Sequence, residues 1–500
     1  MSTAPAHRTA PGQAAALAQR PVGRLLWHTC SQTTFSVGVY GIYALTNAWF
    51  VAHGVGTAAM AAVNLVAPVL LLLGAVSTTV GAGGASLVSR SLGAGDTAGA
   101  ARAAGNAFMV FWAGAVLVTV TGLLAVGPLV RALGARDATQ EAARQYAVVL
   151  LAGAVVSTGF SSLVRAEGRM RFSTLLWLVP VLVQITLDPL LIFGLHLGVR
   201  GAALGTVGGQ GVSAGMGLWF FFLQKDRPYR ITRADLRPHG PTVGALLGVG
   251  APSFLAGLGA TVLAVLVNTS LSGHGGTTAL AAYAICAICA RLQTFLTMPQ
   301  LGISQGLQPV VSYNAGRRLP ERVRRARKLA LRATVLYSTL ATVMLLLLAR
   351  PLVTLFVTDQ QVAATAVRAL RIIALGVAVA GVPPLVSAYF QALGRPKPSY
   401  LISVGTLVVV KAPLVLALGH AGASGVWVAL TAGQLVSAAA ALALLRTSHP
   451  DGPAQAAPGS NDAAVSGQDL GHRIPRPAAL TAPAAGRTAA ARPSRSGRGW

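Results

Sequence analysis

The chain has 500 residues, of which 54% are hydrophobic and only 10% charged, against roughly 25% charged in soluble domains. With a mean hydropathy of +0.63, this excludes a soluble globular protein and fits a chain that crosses a membrane many times. A net charge of +27 would suit a nucleic-acid binder, but its distribution along the chain places it in membrane-side loops and a basic tail.

Residues 1–24 are rich in Ala, Pro and Arg and lead directly into the first apolar run, with no cleavable signal peptide evident; they read as a cytoplasmic tail. Apolar runs of about 20 residues then recur at 25–51, 59–85, 103–127, 145–166, 172–195, 201–223, 244–272, 277–307, 329–349, 363–393, 399–419 and 423–445. The expected fold is therefore all-α and polytopic, with twelve transmembrane helices. Residues 25–223 form a first six-helix bundle, 224–243 a cytoplasmic loop, and 244–445 a second six-helix bundle. Residues 446–500, dominated by Pro, Ala, Ser, Gly and Arg, read as a disordered basic cytoplasmic tail. Small residues such as Val80-Gly81-Ala82-Gly83-Gly84-Ala85-Ser86 let helices approach closely in lipid.

Of the 39 Lys and Arg, thirty fall in segments on the side of the N-terminus and seven on the opposite side. The positive-inside rule then predicts both termini in the cytoplasm of a plasma-membrane protein. The richest segment, 317–328, reads as a loop facing anionic headgroups rather than nucleic acid. Arg291 and Lys411 lie within spans. Cys30, Cys286 and Cys289 also lie in apolar segments and read as buried packing residues, with no metal site or disulfide.

The halves echo each other at a separation of about 220 residues. Gly56-Thr57-Ala58-Ala59-Met60 recurs as Gly276-Thr277-Thr278-Ala279-Leu280, and Ser89 to Gly93 pairs with Ser312 to Gly316. Gly168-Arg169 returns as Gly394-Arg395; Pro189, Gly198, Gly201 and Gln210 return as Pro413, Gly422, Gly425 and Gln434. Six helices per repeat give both halves one orientation, a transporter architecture with the substrate path between the lobes.

One acidic residue, Asp188, falls well inside a span, where a carboxylate costs roughly 2.5–3.5 kcal/mol on insertion scales and marks an ion or proton site by default. Gln184 lies one turn away on the same face, and Pro189 leaves the Ile185 carbonyl short of a helical partner. Such oxygens suit a proton-exchange site or a sodium ion equally; the bland alternative is an Asp that ties helix ends together. Asn47, with Tyr43 one turn below, reaches a similar depth on the first helix. Lys411 falls within one position of Asp188 under the repeat, and reads as a mobile counter-ion, a selector of anionic substrates, or a snorkelling lysine. Asn268, Gln300, Gln305 and Gln308 read either as polar lining of a cleft or as helix–helix hydrogen bonds, and Arg291 as a structural residue.

The stretches 45–62, Leu187-Asp188-Pro189-Leu190-Leu191-Ile192-Phe193-Gly194 with Gly201–Thr206, and most specifically Gly306-Leu307-Gln308-Pro309-Val310-Val311-Ser312-Tyr313-Asn314-Ala315-Gly316, resemble the multidrug and toxic-compound extrusion (MATE) transporters over residues 25–445. The resemblance implies two six-helix bundles in a V and cation-coupled efflux of organic compounds, with Asp188, Gln184, Asn47, Tyr43 and Thr206 at the coupling site. Three departures stand out. Asn47 occupies a position where the family commonly has Asp, Gln184 stands where one branch usually has Asn, and the second-half spans hold no acid. A site with at most one negative charge predicts a stoichiometry of one ion.

The function expected is secondary-active export of cationic or amphipathic drugs or secondary metabolites in exchange for H⁺ or Na⁺, with no other cofactor. The rival is a lipid-linked oligosaccharide flippase of the same superfold. A channel is disfavoured by the repeat, and an enzyme by the lack of a phosphate-binding Gly-Lys-Ser/Thr tract or a nucleophile–base constellation. The partners expected are a small-molecule substrate and membrane lipids, with no nucleic acid and a monomeric state.

Overall fold

The computed structural model describes residues 14–133, 138–156, 160–272, 277–354 and 360–448. Its long helical segments are α1 (Val22–Gly54), α2 (Thr57–Ala94), α3 (Thr97–Leu124), α4 (Ala138–Ala152, resumed at Ser161–Ala166), α5 (Met170–Pro189) and α6 (Gly198–Leu218). They continue as α7 (Gly240–Ser272), α8 (Thr277–Gly316), α9 (Pro320–Thr354), α10 (Gln360–Ala380, resumed at Val382–Ala392), α11 (Pro396–Gly419) and α12 (Ala423–Thr447). Among the described residues these twelve segments make two six-helix bundles. Eight are by length and composition alone apolar enough to cross a membrane. The C-terminal tail expected from the sequence lies outside the described residues.

Several helices run past their apolar cores. The basic stretch expected as a loop is the clearest case: from Pro320 onward it is the first turns of α9. Proline suits a first helical turn because its missing N–H would have had no partner there, and Glu321 in that turn pairs with Arg324 at 3.0 Å. At the start of α3 the Asp96 carboxylate accepts the Gly99 N–H at 2.7 Å, capping the helix.

Packing follows the logic of a lipid solvent. Along α9, Leu336, Leu340 and Leu347 are exposed, while Thr334, Ser338 and Ala341 are buried. Small and weakly polar residues face other helices and leucines face outward, because lipid gives no reason to hide a leucine.

The sequence repeat is visible in the backbone. Gly168 and Gly394 have φ of 80° and 72°, and Gly198 and Gly422 have φ of 55° and 81°, at matching turns of the two halves. The bundles also exchange equivalent contacts: α1 packs on α8, and α7 on α2. Near the face where α1 begins and α12 ends, the terminal face, α2 crosses α8 so closely that a Cβ at Gly93 would lie 3.0 Å from the Tyr313 carbonyl carbon. Its repeat partner, Gly316, meets the Arg90 carbonyl carbon at 2.9 Å in the same way. Ser89 Oγ donates to the Pro309 carbonyl of α8 (3.3 Å), and Ser86 Oγ to the Gln391 carbonyl of α10 (2.6 Å). This crossing closes the space between the bundles at the terminal face.

The segment between the bundles is strapped to the first one. Arg227 pairs through Nη2 with Glu167 Oε1 and donates from Nη1 to the Phe221 carbonyl at 2.7 Å. The Tyr229 hydroxyl donates to the same Glu167 oxygen at 2.6 Å. Burial first, then the Glu167 charge, push the Tyr229 phenol well above its ordinary value near 10. Asn106 of α3 donates to the Asp235 carbonyl (3.0 Å) and accepts the His239 N–H (2.8 Å).

Candidate functional site

Two features meet at α5. The first is a sealed polar cluster. Gln184 and Asp188, one turn apart, are 4% and 1% exposed. Asn47 Nδ2 of α1 donates to Asp188 Oδ2 at 3.2 Å, and Gln184 Nε2 donates to Thr206 Oγ1 of α6 at 3.1 Å. Thr206 in turn donates to the Ala202 carbonyl at 3.1 Å. Asp188 Oδ1 is fully enclosed and has no hydrogen-bond partner among the described residues.

This geometry depends on α6 being rich in glycine. A Cβ at Gly205 would overlap Asp188 Oδ1 and lie 3.2 Å from its Cγ; one at Gly209 would lie 2.8 Å from the Pro180 carbonyl oxygen and 3.4 Å from Gln184 Cβ. Glycine lets α6 come near enough to α5 to enclose the carboxylate. A buried carboxyl with one oxygen bonded and one orphaned can exchange a proton, or it can offer that oxygen to a hard cation beside the amide and hydroxyl oxygens.

The second feature is a cavity of about 1980 Å³ between the bundles, lined by both. Gln184 lies in its wall, whereas Asp188, Asn47 and Thr206 do not. The cluster therefore sits behind the cavity and touches it through one amide. Lys411 and Gln305 line the cavity, as do the repeat partners Gln210 and Gln434. Lys411 ends a π-helical turn, Leu407–Lys411, and Gly433 of α12 gives its stem room, a Cβ there lying 3.2 Å from Lys411 Cγ.

Gln300, read as cleft lining or as a helix–helix hydrogen bond, takes the second placement. It is 1% exposed and donates to Ser338 Oγ of α9 at 2.9 Å, so it braces α8 against α9 and is absent from the cavity wall. The side chains of Tyr43, Asn268, Arg291, Cys286 and Cys289 lie outside the described residues.

Sequence reasoning missed Arg165. Counted with the basic residues beside the following loop, it instead lines the cavity from the end of α4 and is 6% exposed. Its Nη1 donates to Ser173 Oγ (3.2 Å), and its Nη2 to Ser162 Oγ (2.9 Å) and Gln305 Oε1 (3.2 Å), all neutral partners. The signal was available, since position 165 falls inside the apolar run 145–166. The expectation of cationic substrates also meets a wall whose described charges, Arg165 and Lys411, are both positive.

A sequence profile described as MatE matches residues 33–190 and 252–416. An FAD transporter of Shewanella oneidensis is 25% identical over 406 residues, covering 80% of this chain and 88% of the relative. A multidrug export protein, MepA, of Staphylococcus saprophyticus is 25% identical over 410 residues, covering 81% and 89%. Among solved structures, a MOP-superfamily transporter from Pyrococcus furiosus, described by a reversed polarity of its binding pocket, superposes with a TM-score of 0.81 at 25% identity, covering 89% of this chain and 100% of that one. With the profile matched across both bundles, the chain belongs to the MatE family, that of the MATE transporters.

Proposed function

We propose that the protein is a secondary-active antiporter of the plasma membrane that exports organic compounds by alternating access, with both termini in the cytoplasm and Asp188 as its ion-coupling group. The observation that carries this reading is the enclosure of Asp188 behind the cavity wall, held by Asn47 and reaching the cavity only through Gln184. A carboxyl in that position loads an ion from one side and unloads it to the other when the bundles rock. Gln184 transmits its state, because a change in the Asp188–Asn47 pairing shifts the α5–α6 contact that Gln184 bonds across.

The coupling ion in this reading is a proton, one per cycle. Asn47 turns its amide N–H rather than its oxygen toward Asp188 Oδ2, an arrangement that suits a carboxyl gaining and losing a proton better than a cage of oxygens around a cation. The crossing of α2 and α8 at the terminal face is, in this reading, part of the gate that opens inward.

The test uses the full chain in proteoliposomes. Uptake of radiolabelled taurocholate and of ethidium is followed under an imposed pH gradient, then under an imposed sodium gradient. A pH gradient that drives accumulation of either probe supports the proposal. Accumulation driven by sodium alone would replace the proton with sodium, and uptake that only equilibrates each probe would end the antiport reading.

A further inference from the structure

We infer that the cavity between the bundles selects amphipathic organic anions, compounds with a carboxylate, sulfonate or phosphate on an apolar body. This rests on the exporter reading and names the substrate class of the same cavity.

Among the described residues no carboxylate lines the cavity. Asp188 is sealed behind the wall, and Glu167 is committed to Arg227 and Tyr229. Glu141 and Glu321 pair with Arg144 and Arg324 on exposed helix ends. Asp96 caps α3, and Asp235 accepts from Thr232 in the strap. Residues 271–295 contain no Asp or Glu in the sequence. Among the described residues the wall thus holds Arg165 and Lys411 with no carboxylate to oppose them.

Neither cation is neutralised. Arg165 is held in place by hydroxyls and an amide, which orient its guanidinium and leave its charge intact. Lys411 has no ion-pair or hydrogen-bond partner among the described residues and is given space by Gly433. Uncompensated cations at membrane depth that face a water-accessible cavity mark a substrate path.

Their placement also sets the shape of the ligand. Arg165 lies near the terminal face, two residues before Glu167, and Lys411 lies 15 residues into α11. At about 1.5 Å of rise per residue the two are on the order of 20 Å apart along the bundle. Leu176, Trp177 and Phe254 also line the cavity and offer apolar surface, and Gln210 and Gln434 offer amides. An apolar body can lie on that surface with its acid at one cation. When the bundles rock, the acid passes to the other.

The test compares wild type, K411Q, K411E and R165K in proteoliposomes with three probes of different charge and source: radiolabelled taurocholate, ethidium, and fluorescent phosphatidylglycerol placed in one leaflet. Binding of taurocholate to the purified proteins is measured in parallel by equilibrium dialysis. Wild type is expected to move taurocholate in preference to ethidium and to leave the lipid unflipped. K411Q is expected to lower taurocholate transport at least tenfold, and K411E to shift the preference toward ethidium. R165K, which keeps the charge, is expected to retain taurocholate binding, so a folding defect at R165 does not decide the matter. Wild type that moves ethidium and not taurocholate, or K411Q that moves taurocholate at the wild-type rate, would overturn the proposal. Flipping of phosphatidylglycerol would replace the soluble anion with a lipid headgroup and so overturn it too. Taurocholate bound in a Lys411-dependent way but not moved would overturn the exporter reading and keep the anion site. Taurocholate neither bound nor moved would overturn the anion site itself.

Discussion

Replacing Gly205 with alanine tests the coupling cluster without touching any of its polar groups. The new methyl would sit 3.2 Å from Asp188 Cγ and overlap Oδ1. Parting α5 and α6 to relieve it would open their close packing at Gly209, where a Cβ would lie 2.8 Å from the Pro180 carbonyl oxygen. Relief must come from turning the carboxyl, which breaks its 3.2 Å bond to Asn47. Overpacking of this kind costs about 1–3 kcal/mol. Loss of a hydrogen bond to a charged group costs about 1.5–3 kcal/mol, roughly 10- to 100-fold in the occupancy of the native carboxyl geometry. G205A is therefore expected to cut pH-gradient-driven transport by at least tenfold and to lower the melting temperature in detergent. Because the same bond is already lost, adding N47A to G205A should make little further difference. Gly211 on the same helix supplies the control: a Cβ there meets nothing within 4 Å. G211A should leave transport unchanged and stabilise the helix by about 1 kcal/mol. Wild-type transport and melting in G205A would refute the assignment of α6 as the wall that encloses Asp188.

Three further outcomes follow from the same geometry. Glu167→Gln leaves Arg227, fully buried beneath Phe220 and Phe221, without a counter-charge; breaking such a pair costs about 3–5 kcal/mol, read as a large drop in melting temperature. The Tyr229 phenol is held neutral in the fold, so its contribution is fully present below its unfolded value near 10 and is lost as pH rises beyond it. The difference in stability between wild type and Tyr229→Phe should accordingly stay constant to about pH 10 and shrink above it, in melts taken across pH. Gly316→Val drives a branched side chain into the Arg90 backbone and should hold the terminal face open, seen as faster labelling of a cysteine placed at Ser89.

The helices were legible because a lipid-facing helix must be apolar for about 20 residues, and that requirement leaves long runs in the sequence. Their ends were not: the first turns of α9 are rich in Arg, and only the fold shows that they stay helical beyond the membrane. The repeat was legible through glycines and prolines, residues whose backbone roles are the same in both halves. Asp188 stood out by cost alone, and Asn47 by depth. The wall that separates Asp188 from the cavity did not, because it depends on how near α6 lies, set by Gly205 and Gly209, which carry no side chain to signal it. Arg165 was hidden by its position at the end of a run, where a cation looks like part of a loop. Gln300 and Gln305, five residues apart on α8, face different neighbours, and one helix read alone does not say which faces the cavity.

The central claim, that Asp188 carries the coupling ion, is tested most directly by proton movement itself. Proteoliposomes loaded with a pH-sensitive dye are given taurocholate and ethidium in turn, with wild type and with Asp188→Asn, which keeps the shape of the side chain and removes its charge. Wild type is expected to move protons against the flow of the transported probe, one for each molecule, and Asp188→Asn to move none while it still inserts and folds. Proton counterflow in Asp188→Asn at the wild-type rate would contradict the account.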